Sequence, residues 1–172
     1  YSAIKNANLA YPRKPITVNL APASVRKEGP SFDLPIAVGV LIAGEQINQE
    51  EIEGALVVGE LSLDGSVRHV RGVLAIAATA RQEGFKRLYV PATDAAEAAL
   101  IPDLEVIPID SLAELYAHLT GEQPIAPAQT EPVALSDPPT AQTDFSEIKG
   151  QEHVKRALEV AAAGGHNVLM SG

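Results

Sequence analysis

Residues 55–91 read ALVVGELSLDGSVRHVRGVLAIAATARQEGFKRLYVP, and the changes of period along them decide the fold. Ala55-Leu56-Val57-Val58-Gly59-Glu60-Leu61 is a short apolar run of strand type. Asp64-Gly65 then sits between Leu61-Ser62-Leu63 and Ser66-Val67-Arg68, a strong short-range hairpin signal. From Gly72 to about Gln82 the Ala, Leu and Ile spacing turns helical, and Gly84 stops it. Arg87-Leu88-Tyr89-Val90-Pro91 returns to a strand pattern. A hairpin followed by helix and strand predicts a mixed α/β or α+β sheet.

The flanks extend this pattern. Upstream, Ile16-Thr17-Val18-Asn19-Leu20 alternates like a strand and ends at Ala21-Pro22. Arg26 to Ser31 is a polar loop. Asp33 is placed to cap a helix through Leu34-Pro35-Ile36 to about Ala43, with the proline tolerated in the first turn. Downstream, Thr93 is placed to cap an Ala-rich helix through about Leu100, and Leu104-Glu105-Val106-Ile107-Pro108 is a further strand. Asp110 or Ser111 begins a closing helix through Leu119, ended by Gly121. Residues 122–143, EQPIAPAQTEPVALSDPPTAQT, hold five prolines, no aromatic and no periodicity, so they read as a linker with nothing to bury.

The second unit, residues 144–172, reads DFSEIKGQEHVKRALEVAAAGGHNVLMSG. Gly150 opens an amphipathic segment from Gln151 to Ala163. Gly164-Gly165 breaks it, and Val168-Leu169-Met170 is an apolar run with the character of a buried strand. Helix, glycine turn, strand and glycine in that order lead into a phosphate-binding loop, whose backbone N–H groups cradle phosphates at a helix N-terminus. Gly172 takes the place of the first glycine of GxxxxGK[ST]; the Lys and Ser/Thr are absent.

Composition bounds the alternatives. The 172 residues suffice for one full domain and part of another, and 46% are hydrophobic, which is ordinary for a globular protein. The opening YSAIKNANLAYP reads as the tail of a helix with no signal-peptide pattern, and both ends predict a piece of a longer protein. No apolar run is long enough to span a bilayer. The absence of cysteine excludes disulfides, thiol chemistry and cysteine-ligated zinc, and fits a cytoplasmic protein. A formal charge of −9 argues against a broad nucleic-acid surface on this piece. Arg68 with Arg71, or Arg13 with Lys14, leave room for a local basic face. His69, His118, His153 and His166 have no metal-ligand spacing, so no metal site is expected.

Four ordered blocks carry a family resemblance: ITVNLAPA at 16–23, KEGPSFDLPIAVGVL at 27–41, GELSLDGSVRHVRGVL at 59–74, and the whole of 144–172. Together they resemble the YifB/ComM family of bacterial magnesium-chelatase-like ATPases of the AAA+ class. The resemblance implies a Lon-protease-like domain with the ribosomal S5 domain 2-like fold over 1–121, the Pro-rich linker over 122–143, and over 144–172 the first helix and strand of a P-loop AAA+ module. It further implies ATP and Mg²⁺ as cofactors of the full-length protein, with none bound to this piece. Ile148-Lys149-Gly150-Gln151 matches the motif near the adenine, and Gly172 the start of the phosphate loop. A glycine lets the backbone approach a ring closely.

Gly29-Pro30-Ser31 falls where Lon-type proteases carry their nucleophile, so Ser31 is the catalytic candidate. A serine needs a base to remove its proton. In Lon-like enzymes the base is a lysine soon after the hairpin, and aligning from Gly59-Glu60 without gaps puts Leu74 at that position. No lysine lies between Lys27 and Lys86. Arg68 and Arg71 cannot serve as bases; His69 could, with Asp33 or Asp64 to orient it. Ser31 and Asp33 also read simply as loop and helix-cap chemistry. The Ser–Lys dyad is read as lost and the domain as non-proteolytic.

The resemblance therefore implies an accessory or assembly domain of an ATP-driven motor. ComM-type members are associated with branch migration of DNA in natural competence, as hexameric rings, with DNA met by the motor. Three readings compete: a Lon-like ATP-dependent serine protease using Ser31, an oligomerisation module only, and a true magnesium-chelatase subunit of tetrapyrrole synthesis. An N-terminal Lon-like domain does not suit the last.

Overall fold

A computed structural model of the chain describes residues 1–20, 29–129 and 144–170. The chain divides into two units, Tyr1–Glu131 and Pro132–Gly172.

The first unit is built on a parallel sheet of three strands in the order β1-β4-β5 (Ala55–Val57, Arg87–Pro91, Glu105–Ile109), with Leu88 beside both Leu56 and Val106. The central strand is buried on both faces, as a parallel strand between helices must be. Its alternate side chains enter two separate cores. Tyr89 joins Ile107 and Ile109 against helices α2 (Asp33–Ala43) and α5 (Leu112–Leu119). Leu88 and Val90 join Val106 against α3 (Val73–Gln82) and the short α4 (Ala95–Ala98). Small alanines on α3 and α4 let these helices lie close to the sheet, so few aromatics are needed.

The run 55–61 is not one strand. β1 ends at Val57, the ladder continues only through Val58 N–H to the Tyr89 carbonyl, and Glu60–Leu61 (β2) pairs antiparallel with Val67–Arg68 (β3). The break is Gly59. Its N–H donates to the Ser31 carbonyl at 3.2 Å and its carbonyl accepts from Leu34 N at 3.2 Å. A Cβ there would lie 2.9 Å from both Leu34 Cδ2 and Val67 Cγ1, so only glycine lets the two segments meet. The Asp64-Gly65 hairpin forms as expected. Asp64 Oδ1 accepts from Ser66 N at 3.0 Å and Ser66 Oγ at 2.7 Å, and these bonds hold the Asp64 carboxyl below its ordinary range.

Other elements depart from the sequence pattern. Residues 16–20 form no strand: no described strand lies beside them, and Val18 and Leu20 stay exposed while Ile16 packs on the first core. Phe32, not Asp33, occupies the N-cap of α2; Asp33 is its first residue, and its side chain makes no cap bond. Thr93 likewise does not cap; it lies in a 3-10 turn over Ala92–Asp94, and α4 ends at Ala98. At α5 the choice falls on Ser111, whose Oγ accepts from Glu114 N at 3.2 Å, while Glu114 Oε2 accepts from Asp110 N at 2.8 Å.

Residues 122–129 lack helix or strand, yet two of their side chains are half-buried. Ile125 N donates to His118 Nδ1 at 2.9 Å and Ala128 N to the Val106 carbonyl at 2.8 Å, and Ile125 and Ala128 rest on the first and second cores respectively. The rest of the proline-rich stretch, 130–143, lies outside the described residues.

In the second unit, Asp144 accepts from Ser146 N at 2.8 Å and caps a 3-10 turn, Phe145–Glu147. Helix α6 spans Glu152–Gly164. Val168–Met170 forms no strand, and Leu169 is 96% exposed; no described strand lies alongside to take its hydrogen bonds. The N-terminal helix, α1, is Ser2–Asn6. Among the described residues no helix is long and apolar enough to cross a membrane.

Candidate functional site

The loop before α2 and the hairpin enclose a cavity of about 660 Å³, lined by Gly29, Pro30, Ser31, Glu60, His69, Val70 and Arg71. Two contacts build it. Gly59 ties the Ser31 backbone to the start of β2. Asp94, at the turn before α4, holds the segment that leaves β3.

Asp94 is 4% exposed, a buried acidic residue among otherwise apolar neighbours, and such a group persists only if its oxygens are satisfied. They are: Oδ1 lies 2.6 Å from His69 Nδ1, and Oδ2 accepts from Val70 N at 2.9 Å. Thr93 Oγ1 adds a longer bond to Oδ1, 3.3 Å. A carboxylate only accepts, so the His69 Nδ1 carries the proton. In the neutral ring Nε2 then has a free lone pair. The His69 side chain is 63% exposed.

Sequence reasoning set Ser31 and His69 apart as candidates, and the structure brings both to one cavity. The acid that orients His69 is neither Asp33 nor Asp64. Asp64 is engaged with Ser66, whereas Asp94 reaches His69 across 25 residues of sequence. The one available signal was an acid following a buried strand, Val90-Pro91, too general to select it. Leu74 lies on α3, 39% exposed and outside the cavity lining, so no amine stands in for a lysine there. No hydrogen bond joins Ser31 Oγ to His69 among the described residues. Arg71 contributes a cation and Glu60 an anion to the same walls.

Residues 148–151, expected from the sequence to lie near a nucleotide, form a tight turn. Gly150 has φ +76° and Gln151 φ +59°, so the chain reverses through two left-handed residues into α6. Ile148 is exposed, as are Lys149 and Gln151. Gly172 lies outside the described residues. No group of three or more metal-ligating side chains occurs among the described residues.

Two magnesium-chelatase family models match the sequence. "Subunit ChlI of Mg-chelatase" matches residues 1–94, and "Magnesium chelatase, subunit ChlI" matches residues 144–172. The chain belongs to the YifB/ComM family of magnesium-chelatase-like proteins. It is 40% identical to Competence protein ComM of Haemophilus influenzae over 173 residues, 99% of this chain and 34% of that protein. It is 41% identical to YifB of Salmonella typhimurium over 171 residues, 99% of this chain and 33% of that one. A fainter likeness, 27% over 115 residues, links it to the Lon protease of Rhizobium meliloti, over 63% of this chain and 14% of that enzyme. The chain spans about a third of the length of the curated YifB/ComM relatives it matches.

Proposed function

We propose that this chain is part of an ATP-driven AAA+ motor that acts on DNA, and that its first unit is the motor's accessory or assembly domain. In this reading residues 1–121 form a Lon-protease-like domain of ribosomal S5 domain 2-like fold. The linker 122–143 lies on that domain in its first residues, and 144–172 open the AAA+ module. The observation that carries the reading is the 40% identity with Competence protein ComM across 99% of the chain. That name ties the relative to competence; work on DNA is what the family resemblance implies.

ATP and Mg²⁺ belong to the full-length protein, with Ile148, Lys149, Gly150, Gln151 and Gly172 on the nucleotide side. The turn at Gly150 and Gln151 fits that role, since it leaves backbone and Ile148 exposed. Self-association into a hexameric ring and a cytoplasmic location complete the proposal. The chain's acidity favours DNA contact on the rest of the motor rather than on this piece. Ser–Lys proteolysis has no support, because Leu74 offers no base.

The test is ATP hydrolysis by the full-length protein with and without branched DNA. Strong stimulation by branched DNA supports the motor. Hydrolysis indifferent to DNA rejects it and directs attention to protein substrates.

A further inference from the structure

We propose that Ser31, His69 and Asp94 form an acyl-transfer site that hydrolyses small carboxylic esters, a chemistry separate from the motor and independent of that reading. Three observations converge on it. Ser31 and His69 line one cavity. The Asp94 carboxylate, itself almost wholly buried, receives His69 Nδ1 at 2.6 Å. Its second oxygen is fixed by the Val70 amide, so the ring is held from behind, and in its neutral form Nε2 is the atom without a proton. A base oriented by a buried carboxylate, facing the same cavity as a serine, is the set of groups that activates a hydroxyl once substrate brings them together, whatever fold carries it. The buried acid thus spends one oxygen on the Val70 amide and the other on a ring that is mostly in solvent. The Val70 amide alone would be satisfied by an asparagine.

The steps balance without a cofactor. Ser31 Oγ bonds to the ester carbonyl carbon as its proton passes to His69 Nε2. The carbon–alkoxide bond breaks, and the same proton leaves on the alcohol oxygen. Water then attacks the acyl-serine, giving one proton to His69 Nε2. The Ser31 Oγ bond to carbon breaks, the proton returns to Oγ, and a carboxylic acid departs. Arg71, on the same wall, is the donor nearest in kind to the charge that develops on the carbonyl oxygen. Ser31 and His69 touch the reacting atoms; Asp94 is a positioning residue. Esters are favoured over amides because an alkoxide leaves with less help from an acid.

The test is labelling of the 172-residue chain with a fluorophosphonate, which phosphonylates activated serines, with the adduct located by mass spectrometry. The expected result is an adduct on Ser31, absent from Ser31→Ala. In His69→Gln, at an exposed position, labelling slows about a hundredfold, the low end of what a general base contributes. Ser31-dependent hydrolysis of p-nitrophenyl acetate accompanies it. Long-range proton–nitrogen NMR of the His69 ring reads the tautomer directly: Nδ1–H in the native chain, shifted toward Nε2–H in Asp94→Asn. A merely structural Asp94 would not tie that shift to the labelling rate. Labelling of Ser31 no faster than in the heat-unfolded chain overturns the proposal. So does label spread evenly over Ser62, Ser66 and Ser111, or a His69→Gln rate equal to the native one.

Discussion

At Gly59 a hydrogen atom decides whether two segments can touch. An added methyl would lie 2.9 Å from the side chains of Leu34 and Val67, and 3.3 Å from Leu34 Cβ, so Gly59→Ala must push α2 away from β3. Overpacking of this kind costs about 1–3 kcal/mol. Urea denaturation is expected to give that loss, with Ser31 displaced because its carbonyl hangs on the Gly59 amide. An unchanged midpoint would mean that the contact relaxes freely. Asp94 carries a second cost. Asp94→Ala strands the Val70 amide in a buried site, worth about 1–3 kcal/mol, whereas Asp94→Asn keeps an acceptor for it and loses less. Comparing the two urea midpoints checks this ordering. Neither contact was legible from sequence: Gly59 looked like the middle of a strand, and Asp94 is 24 residues from the amide it satisfies.

Elements with local signals were legible, and those that depend on a distant partner were not. The Asp64-Gly65 hairpin, α3 with its Gly84 stop, and the limits of β4 follow from neighbours in sequence. Residues 16–20 and 168–170 have strand composition, but a strand exists only with a partner for its hydrogen bonds. The segment 122–125 is the opposite case, a proline-bearing stretch without periodicity that still docks. Its fastening is pH-sensitive. His118 Nδ1 accepts the Ile125 amide, so the neutral ring is required, and burial, aided by Arg87, lowers the His118 pKa below its ordinary 6.5. Tyr89, against which Nε2 rests at 3.4 Å, is raised by its own burial. A histidine depressed in the folded state contributes stability that is whole above pH 6.5 and is lost as pH falls from there through the folded value. Thermal melts are therefore expected to drop between pH 7 and 5 by a margin that His118→Gln reduces, with a lower hydrogen-exchange protection factor for the Ile125 amide at the acid end. Equal pH dependence in both proteins would remove His118 from this role. At α5, Ser111→Ala removes the cap bond to Glu114 and is expected to cost about 1 kcal/mol, read from urea melts at pH 7.

For the whole molecule, the decisive question is where the first folded body ends. Composition points to Gly121, because the helix stops there with φ +77° and prolines follow. Packing carries the body further: Ala128 donates to Val106 on β5, covering part of that strand's free edge, and Ile125 and Ala128 each add apolar contact to a different core. A chain of residues 1–129 should therefore be more stable than one of residues 1–121. Half-burying an Ile side chain is worth about 1 kcal/mol, with the amide bonds from Gln123, Ile125 and Ala128 contributing at least a similar amount together. Urea melts of the two truncated chains are expected to differ by about 2 kcal/mol, with the shorter one exchanging the Val106 region faster. If residues 122–129 are held, they belong to the first folded body and not to a linker. Identical midpoints for the two chains would return the whole of 122–143 to the linker.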